Sequence, residues 1–288
     1  MTVTENGLTI ETPEGHRIEA FQWTSEKPVR GIVQIVHGMA EHSRRYRHVA
    51  KALVQAGYVV YASEHRGHGQ SALDNGTLGD FGAKGFNALV DDMVTVSRHL
   101  RELHPSLPLL MLAHSMGSFA AQIFLLDYAD LVDAIALSGT TALELLDPRH
   151  SGWTLEAGNA AIAEPLTAVD WLSRDPAVPA AYLADPLSGF ALTEASLLSI
   201  FDHGLRTTDM DQFDKVRKDL PLCLFTGDKD AVNGYLAWFN PLVERLRLAG
   251  FRDLSTHVYG GARHEVLNET NRDEVISNLI AWMNRVTG

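Results

Sequence analysis

The segment that most constrains the fold is residues 109–126, which read LLMLAHSMGSFAAQIFLL. Its first four residues are apolar, as in a buried strand, and apolar residues at helical spacing follow after a short break. The break is Ala113-His114-Ser115-Met116-Gly117. A sharp turn from strand to helix is one way in which a protein presents a serine hydroxyl for attack on a substrate. The segment therefore predicts a strand, a turn and a helix, with Ser115 as a candidate nucleophile.

Such a turn needs small residues on both sides of the serine. The strained backbone brings the residues two before and two after the nucleophile close together. Gly117 meets this demand, whereas Ala113 stands where the usual G-x-S-x-G pattern has glycine. Alanine adds one methyl group, so we expect the turn to form.

A serine hydroxyl is a poor nucleophile at neutral pH and needs a base, an orienting carboxylate and donors for the oxyanion. The buried-strand pattern GIVQIV of residues 31–36 runs into His37-Gly38-Met39-Ala40. We expect the backbone N–H groups of Met39 and Met116 to form the oxyanion hole. On the alternative interpretation, His37-Gly38 is simply a turn that ends a strand.

Candidates for the acid and the base follow the serine in chain order. Residues 221–226 predict a strand that ends at Gly227-Asp228-Lys229-Asp230, and residues 254–259 predict another that ends shortly before His264. Both sets of side chains then lie at strand ends, where α/β sheets bind ligands. His264 is the candidate base, and the residues alone leave the acid open between Asp228 and Asp230.

The rest of the chain predicts an α/β fold. Residues 8–10 and 17–23 predict an opening antiparallel pair, and strands then alternate with helices, which implies a mostly parallel sheet flanked by helices. Between residues 139 and 220 the alternation stops. Because structureless loops of this length are uncommon in compact domains, we expect a helical cap there. The predicted division is a core of residues 1–138 and 221–288 with residues 139–220 as the cap.

Charge and composition exclude some classes of partner. The chain has 24 basic and 36 acidic residues and a net charge of −12, which disfavours nucleic acid and anionic membrane surfaces. We see no apolar run near the roughly 18 residues that span a bilayer and no secretory signal, so we expect a cytoplasmic protein without integral membrane association. The single cysteine, Cys223, lies in a predicted strand and is expected to be a buried structural thiol.

Two histidine pairs have spacings that metal sites can show, namely His37 with His42 and His65 with His68. Neither comes with the cysteine or carboxylate pattern of a zinc site, so we expect no metal and no cofactor. The second pair lies in a loop that begins at Glu64. We expect this loop to lie beneath the nucleophile, with Arg66 and Glu64 bonded to the backbone or to each other.

Taken together, the motifs resemble those of the monoacylglycerol lipase and lysophospholipase group of serine α/β-hydrolases. The matching segments are spread over most of the chain: His37-Gly38-Met39-Ala40-Glu41-His42-Ser43 with Arg45-Tyr46, Glu64 to Ser71, the Ser115 turn, Trp171 to Asp175 with Tyr182 and Asp185-Pro186-Leu187, and Gly227 to Asp230 with His264. Three residues depart from the pattern of the group: Ala113 and Ser118, where glycine occurs, and Glu64, where aspartate is usual.

The resemblance implies an α/β-hydrolase fold and a catalytic triad of Ser115, Asp230 and His264, since the acid of the group stands three positions after the glycine. It also implies a small-molecule partner, a monoacyl lipid ester such as a monoacylglycerol, cleaved through an acyl-enzyme intermediate. Some apolar cap residues are then expected to line an acyl-chain pocket. A lysophospholipase or a broad carboxylesterase would use the same chemistry. A non-catalytic ligand-binding protein of the same fold is a more distant alternative. The oligomeric state stays open.

Overall fold

The computed structural model describes residues 2–288. Its centre is one eight-stranded sheet with the strand order β1-β2-β4-β3-β5-β6-β7-β8. In chain order these strands are β1 Thr4–Glu11, β2 Arg17–Thr24, β3 Gly31–Val36, β4 Tyr58–Ser63, β5 Leu109–His114, β6 Ala134–Ser138, β7 Leu222–Gly227 and β8 Leu254–Tyr259. Each strand predicted from the sequence is present, with ends that match the prediction or differ from it by up to four residues.

The sheet is mostly parallel, as predicted. β1 pairs antiparallel with β2, and β2 pairs antiparallel with β4. The other five pairings are parallel. Because parallel strands share a direction, the six strands from β3 to β8 all end at the same edge of the sheet. The loops that follow these six strands therefore lie along that edge.

Helices cover both faces of the sheet. In chain order they are α1 Arg47–Gln55, α2 Gly69–Asp74, α3 Phe86–Leu103, α4 Met116–Tyr128, α5 Leu143–Leu146, α6 Pro148–Ser151, α7 Ala177–Ala184, α8 Glu194–Phe201, α9 Met210–Phe213, α10 Phe239–Leu248 and α11 Arg272–Val286. Side chains of α3, α4 and α10 pack in one apolar cluster, and those of α1 and α11 pack in a second. Successive strand residues alternate between the two clusters, because side chains alternate across a strand. Met111 points to the first, and Leu110 and Leu112 point to the second.

Residues 139–220, all of them described, contain short α- and 3-10 helices and no strand. The segment is anchored to the sheet by apolar side chains that join the first cluster, among them Leu143, Leu146, Phe201 and Phe213. Other apolar side chains of this segment face solvent, and Leu166 is 84% exposed. The sequence pattern that predicts a helical segment here therefore corresponds to many one- or two-turn helices and few long ones.

Among residues 2–288, no helix is both long enough and apolar enough to cross a bilayer.

Candidate active site

Ser115 lies on the sharp turn between β5 and α4. Its φ of +51° and ψ of −124° are a conformation that few non-glycine residues adopt, and its N–H is held by the carbonyl of Ser138, 2.9 Å away. A Cβ at Gly117 would lie 2.4 Å from the carbonyl oxygen of His37, so only glycine allows α4 to start this close to the end of β3. Ala113 is fully buried in β5, and its methyl group packs in the first apolar cluster.

Three side chains from separate parts of the chain form a line of hydrogen bonds. Nε2 of His264 lies 2.8 Å from Oγ of Ser115, and Nδ1 of His264 lies 3.0 Å from both carboxylate oxygens of Asp230. A carboxylate only accepts, so Nδ1 carries the hydrogen and Nε2 is free to accept the Ser115 proton. This arrangement allows a serine hydroxyl to pass its proton to an imidazole as it attacks a carbonyl carbon.

Asp230 is held in place at the end of β7. Its Oδ1 accepts from the N–H of Val232 at 2.8 Å, and its Oδ2 accepts from the hydroxyl of Thr226 at 3.1 Å. Its side chain is fully buried. Asp228 instead accepts from the N–H of Gly261 at 2.7 Å and bonds a turn rather than the histidine. Of the two aspartates left open by the residues alone, Asp230 is the one beside His264.

The electrostatics of His264 favour its protonated form. Burial alone would lower the pKa of His264, but the carboxylate of Asp230, by its charge and its hydrogen bond, raises that pKa above the usual value. More distant charges on Glu265 and Glu41 act in the same direction. The imidazolium that forms when His264 accepts a proton is thus stabilised by the site itself.

Two backbone N–H groups close to the nucleophile have no hydrogen-bond partner in the described part of the chain. Among residues 2–288, the N–H groups of Met39 and Met116 donate no hydrogen bond. Met116 is the first residue of α4, whose N–H has no intrahelical acceptor. The Met39 loop passes directly against the nucleophile, since a Cβ on Gly38 would lie 3.1 Å from Cβ of Ser115. Both N–H groups are therefore free to donate beside Ser115, and their role as oxyanion donors stays a prediction.

The 139–220 segment contacts the loop that carries His264, through side-chain and backbone groups. The ring of Trp171 lies 5.3 Å from the ring of His264. The backbone is joined as well, because the carbonyls of Trp171 and Leu172 accept from the N–H groups of His264 and Glu265 at 3.3 and 2.8 Å. Arg263 adds hydrogen bonds from its guanidinium to the carbonyls of Asp170 and Ser173. Nothing in the sequence signals these contacts, since they join segments about 90 residues apart.

A buried charged network lies beside the nucleophile. Glu41 accepts from the N–H of Gly38 and from the hydroxyl of Tyr46. Arg45 donates to Glu41 and, with both terminal nitrogens, to Glu265. In the sequence, Glu41 and Arg45 are recognisable only as members of a matching motif, because Glu265 lies 220 residues away in the chain.

The four histidines whose spacing metal sites can show, His37, His42, His65 and His68, make hydrogen bonds within the protein. Nε2 of His37 accepts from the N–H of His65, and Nε2 of His68 accepts from the N–H of Ala40. His42 bonds the carboxylate of Asp185 at 2.8 Å. Within residues 2–288, no three histidine, cysteine or carboxylate side chains converge in an arrangement that could hold a metal ion.

Of the two alternatives expected for Arg66 and Glu64, bonds to the backbone or to each other, the second is wrong. Arg66 makes a two-pronged ion pair with Asp92 of α3, at 2.6 and 3.0 Å. Glu64 accepts from the N–H and the hydroxyl of Ser43, so the expectation that it bonds backbone is met. The pairing could not be read from the sequence because α3 begins some 20 residues after Arg66.

Comparison with known proteins agrees with this geometry. The model of the Hydrolase_4 family, described as serine aminopeptidase, S33, matches residues 27–271. The monoacylglycerol lipase of Mycolicibacterium smegmatis is 33% identical over 273 residues, which cover 93% of each chain. The crystal structure of a carboxyl esterase from Bacillus coagulans in complex with glycerol has a TM-score of 0.88 at 30% identity, over the whole of both chains.

A monoglyceride lipase from Saccharomyces cerevisiae shares the fold, with a TM-score of 0.75 at 20% identity over 97% of this chain and 95% of that one. The fold, the turn that carries Ser115 and the similarity along almost the entire chain lead to one assignment. The chain belongs to the Hydrolase_4 family, and within it is a serine ester hydrolase of the monoacylglycerol lipase and lysophospholipase group.

Proposed function

We propose that this enzyme hydrolyses monoacylglycerols to a fatty acid and glycerol through an acyl-enzyme on Ser115. The observation that carries the proposal is the line of hydrogen bonds from Ser115 through His264 to Asp230, at 2.8 and 3.0 Å. The substrate class is supported by the 33% identity to a monoacylglycerol lipase along 93% of the chain.

In the first half of the reaction, Oγ of Ser115 attacks the ester carbonyl carbon while its proton moves to Nε2 of His264. The carbonyl oxygen becomes negative and accepts hydrogen bonds from the N–H groups of Met39 and Met116. His264 then gives its proton to the glycerol oxygen as the C–O bond breaks, which leaves the acyl group on Ser115. Asp230 stays ionised and holds the imidazole in the tautomer with hydrogen on Nδ1.

In the second half, His264 takes a proton from water as that water attacks the acyl-enzyme carbonyl. The same two N–H groups receive the second oxyanion. His264 returns the proton to Oγ of Ser115 as the fatty acid leaves, so the enzyme ends unchanged. Every proton moves through one imidazole, and the donors at Met39 and Met116 do not depend on the methionine side chains.

Residues 139–220 act, in this proposal, as a cap over the carboxyl edge of a core made of residues 1–138 and 221–288. Support comes from the backbone hydrogen bonds of Trp171 and Leu172 to the His264 loop and from the ring of Trp171 against that histidine. Apolar side chains of the cap then provide one wall for the acyl chain.

The test is the Ser115→Ala variant, assayed by release of oleic acid from 1-monooleoylglycerol. We expect kcat to fall by about 10⁴ or more, because removal of a triad nucleophile leaves only the oxyanion donors and binding. The circular dichroism spectrum should stay that of the parent enzyme. A fluorophosphonate should label Ser115 in the parent and nothing in the variant. Near-normal turnover by a pure, folded variant would contradict the assignment.

A further inference from the structure

Residues 38–40 form a short loop whose first and last N–H groups each donate to a buried side chain. The N–H of Gly38 donates to Oε1 of Glu41 at 2.5 Å, and the N–H of Ala40 donates to Nε2 of His68 at 3.1 Å. Met39 lies between them, and its own N–H has no partner among residues 2–288. The side chains of Glu41 and His68 thus hold the peptides before and after the one that carries the Met39 N–H, and that N–H is left without a partner.

The loop needs such restraint because its backbone is strained. Ala40 has a φ of +51°, in the left-handed region that non-glycine residues rarely occupy. Residues in that region persist when their surroundings hold them there. The hydrogen bond from the N–H of Ala40 to His68 and a second one, from the N–H of Gly189 to the carbonyl of Ala40 at 2.9 Å, hold both sides of this residue.

Glu41 is itself rigidly placed. Its Oε1 also accepts from the hydroxyl of Tyr46 at 2.7 Å, and its Oε2 accepts from Arg45 at 2.5 Å. Arg45 is anchored on its other side by Glu265, at 2.7 and 2.8 Å, and Glu265 is the neighbour of His264 in the chain. Burial alone would raise the pKa of Glu41, but Arg45 and nearby histidines lower it to about 2. The carboxylate therefore stays charged at any working pH.

His68 is suited to accept rather than donate. Its Nδ1 lies 2.9 Å from the carbonyl oxygen of Arg66, which can only accept, so Nδ1 carries the hydrogen and Nε2 has the free lone pair. Burial of the imidazole lowers the pKa of His68 to about 3. A neutral imidazole is what the N–H of Ala40 requires as its acceptor.

We propose that Glu41 and His68 are positioning residues that aim the N–H of Met39 at the oxyanion formed during ester hydrolysis. The proposal rests on the function given to Ser115 above. Neither side chain touches the reacting atoms, and each acts through one peptide. Through Arg45 and Glu265, the same network ties the Met39 loop to the loop of His264. The network therefore fixes the position of the oxyanion donor relative to the general base.

The test compares Glu41→Ala, Glu41→Gln and His68→Ala with the parent enzyme on a p-nitrophenyl ester. Loss of one oxyanion donor costs about 10²–10³ in kcat, so Glu41→Ala should lose that much with KM within about threefold. Glu41→Gln keeps an oxygen for the N–H of Gly38 and should recover most of the loss. His68→Ala, which leaves the N–H of Ala40 without its acceptor, should fall in the same direction as Glu41→Ala.

A second readout separates positioning from stability. A trifluoromethyl ketone forms a tetrahedral adduct that bears an oxyanion. We expect Glu41→Ala to raise the Ki of this inhibitor by about the same factor by which it lowers kcat. The matched control is Arg101→Met. This substitution breaks a half-buried ion pair, 2.7 Å long, between Arg101 and Asp133 at the opposite edge of the sheet. We expect it to leave kcat and the Ki of the inhibitor within about twofold of the parent values.

The proposal is overturned if folded Glu41→Ala keeps kcat within threefold of the parent, or if kcat falls while Ki does not change. If Glu41→Ala does not fold, His68→Ala and Glu41→Gln still decide, since parent-like kcat and Ki in His68→Ala would contradict the role of that residue. Failure of the underlying function looks different. In that case Ser115→Ala would retain the turnover of the parent, whatever the Glu41 variants do.

Discussion

At the scale of single residues, the two aspartates after β7 make the sharpest contrast. Asp230 accepts the Nδ1 hydrogen of His264, and Asp228 accepts a turn N–H. Asp230→Asn should lower kcat by about 10⁴, because an amide there favours the wrong histidine tautomer. Asp228→Asn should stay within about tenfold, since it weakens one turn. Steady-state kinetics on one ester measure both, and the reverse ranking would show that the acid is misassigned.

The pH dependence of activity follows from the raised pKa of His264. The imidazole must be neutral to accept the Ser115 proton, so kcat/KM falls as the pH drops through this pKa. Because Asp230 raises it above the usual value of 6.5, half-maximal kcat/KM on the acid side should lie above pH 6.5. In Asp230→Asn this midpoint should move down. A profile of kcat/KM against pH checks the sign, and an acid midpoint well below pH 6.5 in the parent would contradict it.

Local sequence pattern predicted the residues that the structure joins by hydrogen bonds, Ser115 and His264, because each stands at a strand end with a recognisable turn. It left Asp228 and Asp230 open, and the resemblance to a known group, not spacing, favoured Asp230. The pattern does not predict which side chains contact these residues. Glu265 binds Arg45, and Trp171 packs against His264, in both cases across a long stretch of sequence. Arg66 pairs with Asp92 on a later helix, not with Glu64. Such pairs depend on how elements pack, which a linear pattern does not encode.

At the scale of elements, the strands predicted from the sequence have ends that match the structure or differ by up to four residues. Periodicity is strong in buried parallel strands and in long helices such as α3. Residues 139–220 are different, because helices of one or two turns give little periodicity. There the sequence indicates a helical segment, but it does not predict where any single helix begins or ends.

The cap leads to a prediction about chain length. Each further buried methylene of an acyl chain contributes at most about 0.8 kcal/mol, so kcat/KM should rise by up to about fourfold per carbon and then level off. Replacement of residues 139–220 by a short linker, if the remainder folds, should flatten this series and leave slow cleavage of acetyl esters. p-Nitrophenyl esters of two to sixteen carbons supply the series. An unchanged preference without the cap would place the acyl pocket in the core.

At the scale of the whole molecule, the sheet brings together residues that are far apart in sequence. The parallel strands β3, β5, β7 and β8 end at one edge, and from their ends come Met39, Ser115, Asp230 and His264 in turn. Strand order and direction alone therefore explain why four loops, separated by up to 225 positions between Met39 and His264, converge on one site. The same fold serves several ester substrates, so the head group must be decided by measurement.

The most direct test of the account is kcat/KM for purified enzyme on a matched set of substrates. The set is 1-monooleoylglycerol, oleoyl lysophosphatidylcholine, p-nitrophenyl acetate and an aminoacyl p-nitroanilide, with Ser115→Ala as the blank. We expect the highest kcat/KM on 1-monooleoylglycerol, with that activity lost in the blank. A higher value on the lysophospholipid, the acetate or the anilide would contradict the assignment as a monoacylglycerol hydrolase.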